Sequence, residues 1–110
     1  MGCDSLPEGL QGLVRGTPRG VALEVYVVPR AGESRLAYRD GELVYYSEAK
    51  CKGHAVNYDL LKWLSRNIGG RPRIVRGWSS RVKLVLLEGV TLGEALEALC
   101  SNLDRGGVPR

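Results

Sequence analysis

The spacing of apolar residues changes repeatedly along this chain, and each change marks an element. VALEVYVV, residues 21–28, is rich in β-branched and aromatic types and predicts a strand. Pro29 ends it, because proline has no N–H to give to a ladder. In LAYRDGELVYYS a second strand is predicted over Glu42–Ser47, with Leu36 to Arg39 pairing locally across the Asp40-Gly41 turn signal. From His54 to Asn67 the period becomes helical. Asn57, Leu61, Leu64 and Ile68 share one stripe, and Val56, Leu60 and Trp63 share its neighbour. Tyr58, Asp59, Lys62, Ser65 and Arg66 are expected to face away, and Gly69-Gly70 offers a C-cap.

RPRIVR, residues 71–76, predicts a short strand, and RVKLVLLEG, residues 81–89, a longer one. Alternation in the latter places Val82, Leu84 and Leu86 in the core, and Arg81, Lys83, Val85 and Leu87 on the other face. Thr91-Leu92-Gly93-Glu94 is a capping box. Leu92, Ala95, Leu96, Leu99 and Leu103 then mark the core face of a second helix, which Gly106-Gly107 stops. Residues 1–20, broken by Gly and Pro, show no clear period and predict a loose arm with one short turn. Residues 105–110 read as a tail. The order β-β-α-β-β-α predicts one α+β domain over 21–104, a small sheet with one face against two helices, in two layers.

Composition narrows the class. At 110 residues, the chain suits a single domain with a core of its own. No apolar run approaches the roughly 18 residues of a membrane span. The first residues have neither a basic n-region nor an apolar h-region, so a cytoplasmic protein without a membrane partner is expected. Cys3, Cys51 and Cys100 form no CxxC pair. Their odd number and spacing argue for reduced thiols rather than a disulfide framework or a zinc site, with a single bridge as the exception, and Cys100 reads as a small core hydrophobe. Neither metal nor cofactor is expected.

Charge changes the picture more. The formal net charge is +4, yet between residues 50 and 83 nine Lys or Arg stand against one acid, Asp59, leaving +8 there and −4 elsewhere. Such asymmetry points to an anionic partner, RNA or single-stranded nucleic acid first, bound by a monomer. A merely solvated basic surface is the plainer alternative.

The centre of that segment is IVRGWSSRVKLVLL, residues 74–87. Gly77 can take a positive φ. Arg76, Ser79, Ser80, Arg81 and Lys83 are of the types that contact phosphates, and Trp78 can stack on an unpaired base. If Arg81 and Lys83 share a face they stand roughly 7 Å apart, close to the spacing of adjacent phosphates. Lys50 and Lys52 extend the cationic set. The opposing readings are a turn braced by Ser80 and Arg81, the latter on carbonyls or on Glu88, and an indole packed over its own loop. Asn57, on an apolar stripe, either ties the 47–53 loop to the helix or orients a ligand.

GWSSRVK fits the G-x-[TS]-S-R-x-K signature of the YggU-like family, and the chain resembles that family over about residues 21–88. VYVVPRA (25–31), GHAVNYDLLKWLSRNIG (53–69) and Arg73 to Val75 agree in order with its other pieces. The resemblance implies a mixed four-stranded sheet with two helices and no established reaction. It marks Gly77, Ser79, Ser80, Arg81 and Lys83 as signature positions. The chain departs from the family's Ala-Pro-Pro run at Ser47 to Lys52, and His54 stands where the family favours Lys.

Two other function classes stay open. Cys51, between two lysines and before a helix start, with His54 three residues on, would suit an enzyme acting on a small anionic substrate. A protein-interaction subunit would use Val85 and Leu87, or the N-terminal arm.

Overall fold

In a computed structural model of the chain, residues 8–50 and 54–104 are described. Cys3, Cys51, Lys52, the Gly106-Gly107 stop and the 105–110 tail lie outside them. After a 3-10 turn at Glu8–Gly12 come β1 (Val14–Thr17), β2 (Gly20–Val28), β3 (Arg35–Arg39), β4 (Glu42–Tyr46), α1 (Ala55–Asn67), β5 (Arg71–Arg76), β6 (Val82–Glu88) and α2 (Leu92–Asn102). The class is α+β, with a mixed sheet of six strands instead of four.

β2 is the spine of the sheet. Its first half pairs antiparallel with β1 and its second half pairs parallel with β4, so both neighbours share one edge. β6 lies antiparallel along the other edge, with β5 outside it, and β3 flanks β4. Val21, Leu23, Val25 and Val27 alternate onto the helix side, each at most 4% exposed. They meet Leu60 and Leu64 of α1 and Ala95 and Leu99 of α2 in one cluster.

The predicted strands and helices all form, with ends within a residue or two. The predicted capping box closes in both directions, Thr91 Oγ1 accepting from the Glu94 amide and Glu94 Oε1 from the Thr91 amide. At the end of α1, Gly69 takes φ +110° and donates its amide to the Leu64 carbonyl.

Three expectations are corrected. First, much of the N-terminal arm is built into the fold: Leu10 is 1% and Val14 4% exposed, and β1 hairpins into β2. Thr17 Oγ1 accepts from the amides of Arg19 and Gly20, a side-chain turn that replaces the missing periodicity. Second, β6 has the opposite parity. Lys83, Val85 and Leu87 lie opposite Val25, Leu23 and Val21 and are buried, whereas on the expected face Val82 is exposed and Leu84 half-buried, and only Leu86 is buried, outside the main cluster. Pairing with an entirely apolar row of β2 decides the face, which alternation along β6 alone does not. Val85 and Leu87 are therefore core residues and offer no surface to a partner. Third, Cys100 is disulfide-bonded instead of a thiol, with its partner outside the described residues. An odd cysteine count does not prevent one bridge. No helix among the described residues is long and apolar enough to cross a membrane.

Candidate functional site

Between the start of α1, the end of β2 and the β5–β6 turn lies a cleft of about 410 Å³. Val27, Pro29 and Val56 supply its apolar surface, and Trp78 and His54 its aromatic surface. Ser79, Ser80 and Arg81 come from the turn, and Asn57 and Lys83 line it from the core side.

The turn has its shape for local reasons. Gly77 takes φ +82°, and a Cβ there would strike the Val82 carbonyl oxygen, so glycine is needed. The Ser80 amide donates to the Gly77 carbonyl, 3.0 Å, and Ser80 Oγ accepts from the Val82 amide, 3.1 Å. Beneath the turn Lys83, 3% exposed, donates from Nζ to the carbonyls of Gly77 and Trp78 at 3.0 and 2.9 Å. Asn57 Nδ2 donates to the same Trp78 carbonyl at 2.9 Å. A residue from the helix and one from the strand thus hold one peptide group, which fixes Trp78 at the cleft wall. Ser80, Asn57 and Lys83 are braces as well as lining residues. Arg81 and Lys83 do line the same cleft, but Lys83 is buried and donates to two carbonyls of the turn, so it stands there as a brace.

Arg81 is different. Its backbone carbonyl accepts from the Val27 amide, but its side chain is exposed and makes no ion pair among the described residues. Glu88, its suggested brace, pairs instead with Arg73 at 3.3 Å. Ser79 and Arg76 are also exposed, although Arg76 lies outside the cleft lining, as does Lys50. The bulge between Ile74 and Arg76 carries Val75 as an extra residue before the turn.

Trp78 is 38% exposed, so packing over its own loop does not cover it. Its ring is 5.4 Å from His54, tilted at 52°, and 5.9 Å from Tyr58, edge-on at 79°. Three aromatic rings therefore meet at the mouth of the cleft, on the outside of the molecule. His54 is the N-cap of α1 in the left-handed region, φ 65°, and its side chain does not cap the helix. No acid stands in the first turn of α1. The positive end of the helix dipole thus lies beside the cleft with no acid in that first turn to offset it.

Asp59 is the residue that sequence reasoning missed. It was expected to face solvent; instead its Oδ2 accepts from Ser34 Oγ at 2.7 Å, Tyr45 Oη at 2.9 Å and Ser47 Oγ at 2.6 Å. Ser47 and Tyr45 are fully buried. Burial raises the Tyr45 phenol well above its usual 10.0, opposed by the Ser34 hydrogen bond and reinforced by Asp59. The cluster ties the first turns of α1 to β4 and to the loop before β3, and so positions His54 and Asn57. Local pattern gives no sign of it, because its three donors come from distant parts of the chain.

Among the described residues no group of three or more His, Cys, Asp or Glu side chains could hold a metal ion. Cys51 lies outside those residues, and His54 meets Trp78. No family model matches the chain.

Proposed function

We propose that this protein is a small basic, YggU-like binding module that takes RNA or another single-stranded nucleic acid at the Gly77–Lys83 turn. The observation that carries this reading is the exposed Trp78–His54–Tyr58 ring cluster, in the same cleft as the exposed Arg81 guanidinium, which makes no ion pair among the described residues. Aromatic faces stack on unpaired bases without regard to sequence, and exposed guanidinium groups contact phosphates. Ser79 and the start of α1 add donors of the kind that meet phosphate oxygens. The braces Lys83, Asn57 and Ser80 keep the platform rigid, which reduces the ordering cost of binding.

A fluorescence titration of a labelled single-stranded RNA at two salt concentrations tests this. Micromolar or weaker binding is expected, falling roughly tenfold between 50 and 200 mM salt if about two phosphates are contacted. Arg81→Ala should weaken it more than any exposed substitution on α2. Binding that ignores salt, or no binding at low salt, contradicts the reading.

A further inference from the structure

Asn57 carries an acceptor that the protein does not use. Its Nδ2 donates to the Trp78 carbonyl, which can only accept, so the amide orientation is determined. Its Oδ1 then makes no hydrogen bond among the described residues. The residue is 3% exposed, yet no buried side-chain oxygen or nitrogen among the described residues lacks a partner. Oδ1 is therefore the part that remains accessible, and Asn57 lines the cleft. An acceptor inside a largely apolar cavity recognises a ligand that brings a donor.

We infer that the cleft is a subsite for one nucleotide, whose base lies against Trp78 and donates an N–H to Asn57 Oδ1, with its phosphate at Arg81 and Ser79. The volume supports a single unit. At about 410 Å³ the cleft lies at the small end of ligand pockets, roughly 300–1,000 Å³, and has no room for a stacked run of bases. The division of its surface supports a nucleotide in particular. Val27, Pro29 and Val56 suit a flat apolar ring, Trp78 and His54 add aromatic faces, and the exposed charge stands at one side on Arg81. A small inorganic anion would use that side alone and leave the apolar surface and the Asn57 acceptor idle. The chemistry is shared by a free nucleotide and by a nucleotide unit within or at the end of a strand.

This inference rests on the proposed nucleic-acid reading, and one set of calorimetric titrations separates the two. The probes are the four ribonucleoside 5′-monophosphates, their nucleosides, inorganic phosphate and a single-stranded RNA eight nucleotides long. At least one monophosphate should bind one to one and more tightly than its nucleoside or phosphate by about tenfold, with Trp78→Leu weakening it about tenfold while circular dichroism shows the fold unchanged. Methylating the donor on that base should cost about a further tenfold with the protein unaltered. Tighter binding of the strand with the same Trp78 dependence assigns the subsite to RNA; equal or weaker binding assigns it to a free nucleotide. If no monophosphate exceeds phosphate, or if Trp78→Leu or base methylation changes nothing, the subsite is overturned. Salt-sensitive, Arg81-dependent strand binding would then leave the broader reading standing, and its absence would remove both.

Discussion

Lys83 and Arg81 lie two residues apart and carry the same charge, yet the fold uses one inside and the other outside. Lys83 holds the carbonyls of Gly77 and Trp78 from beneath, whereas Arg81 projects from the turn. Their variants should therefore separate stability from binding. Lys83→Ala removes a buried charged donor and its methylene packing, and should cost about 2–4 kcal/mol in urea unfolding. Arg81→Ala should stay within about 0.5 kcal/mol of the parent while weakening RNA binding. Equal stability of the two variants would show that Lys83 is not the brace described. The residue types at the turn were legible in the sequence, and so was the need for Gly77. The direction of Lys83 was not, because both faces of VKLVLL are rich in apolar residues and only the register with β2 distinguishes them.

At the scale of elements, regular periodicity revealed what it could and irregular structure stayed hidden. The two helices and the strands from β2 to β6 follow apolar spacing, so their positions were readable. β1 is four residues long and carries one buried side chain, Val14, too little for a period to show. The 3-10 turn before it also enters the core through Leu10: Leu10→Ala should cost about 2–4 kcal/mol, whereas a loose arm would tolerate it. The Asp59 cluster sets α1 against β4. Asp59→Ala would remove the carboxylate acceptor of the buried Ser47 hydroxyl and leave the Tyr45 hydroxyl only the longer bond to the residue-59 carbonyl, 3.3 Å, and should cost about 2 kcal/mol. The phenol also makes a pH prediction. Its folded-state value lies above the unfolded 10.0, so its stabilising contribution is full below pH 10 and is lost as pH rises above that value. Tyr45→Phe should flatten the fall in stability above pH 10, measured by urea midpoints; an unchanged slope would mean that Tyr45 is not held neutral.

For the whole molecule, one end of the sheet gathers the exposed rings, Arg81 and the start of α1, while α2 lies against β1 and β2. The charge segment from 50 to 83 was visible in the sequence, but its members separate in space. Arg81 lines the cleft from outside, Lys83 from within, Arg73 pairs with Glu88, and Arg76 lies beyond the lining. Net charge thus overstates the cationic surface at the cleft, and the rings account for more of its character than the sequence conveyed. The most direct measurement is a titration of single-stranded RNA into isotope-labelled protein, followed by amide chemical shifts in two-dimensional NMR spectra. The account predicts changes concentrated at 54–58 and 78–81, with the indole N–H of Trp78 moving and that of Trp63 nearly still. Changes centred on α2 or on the outer edge of β3, or none at low salt, would contradict it.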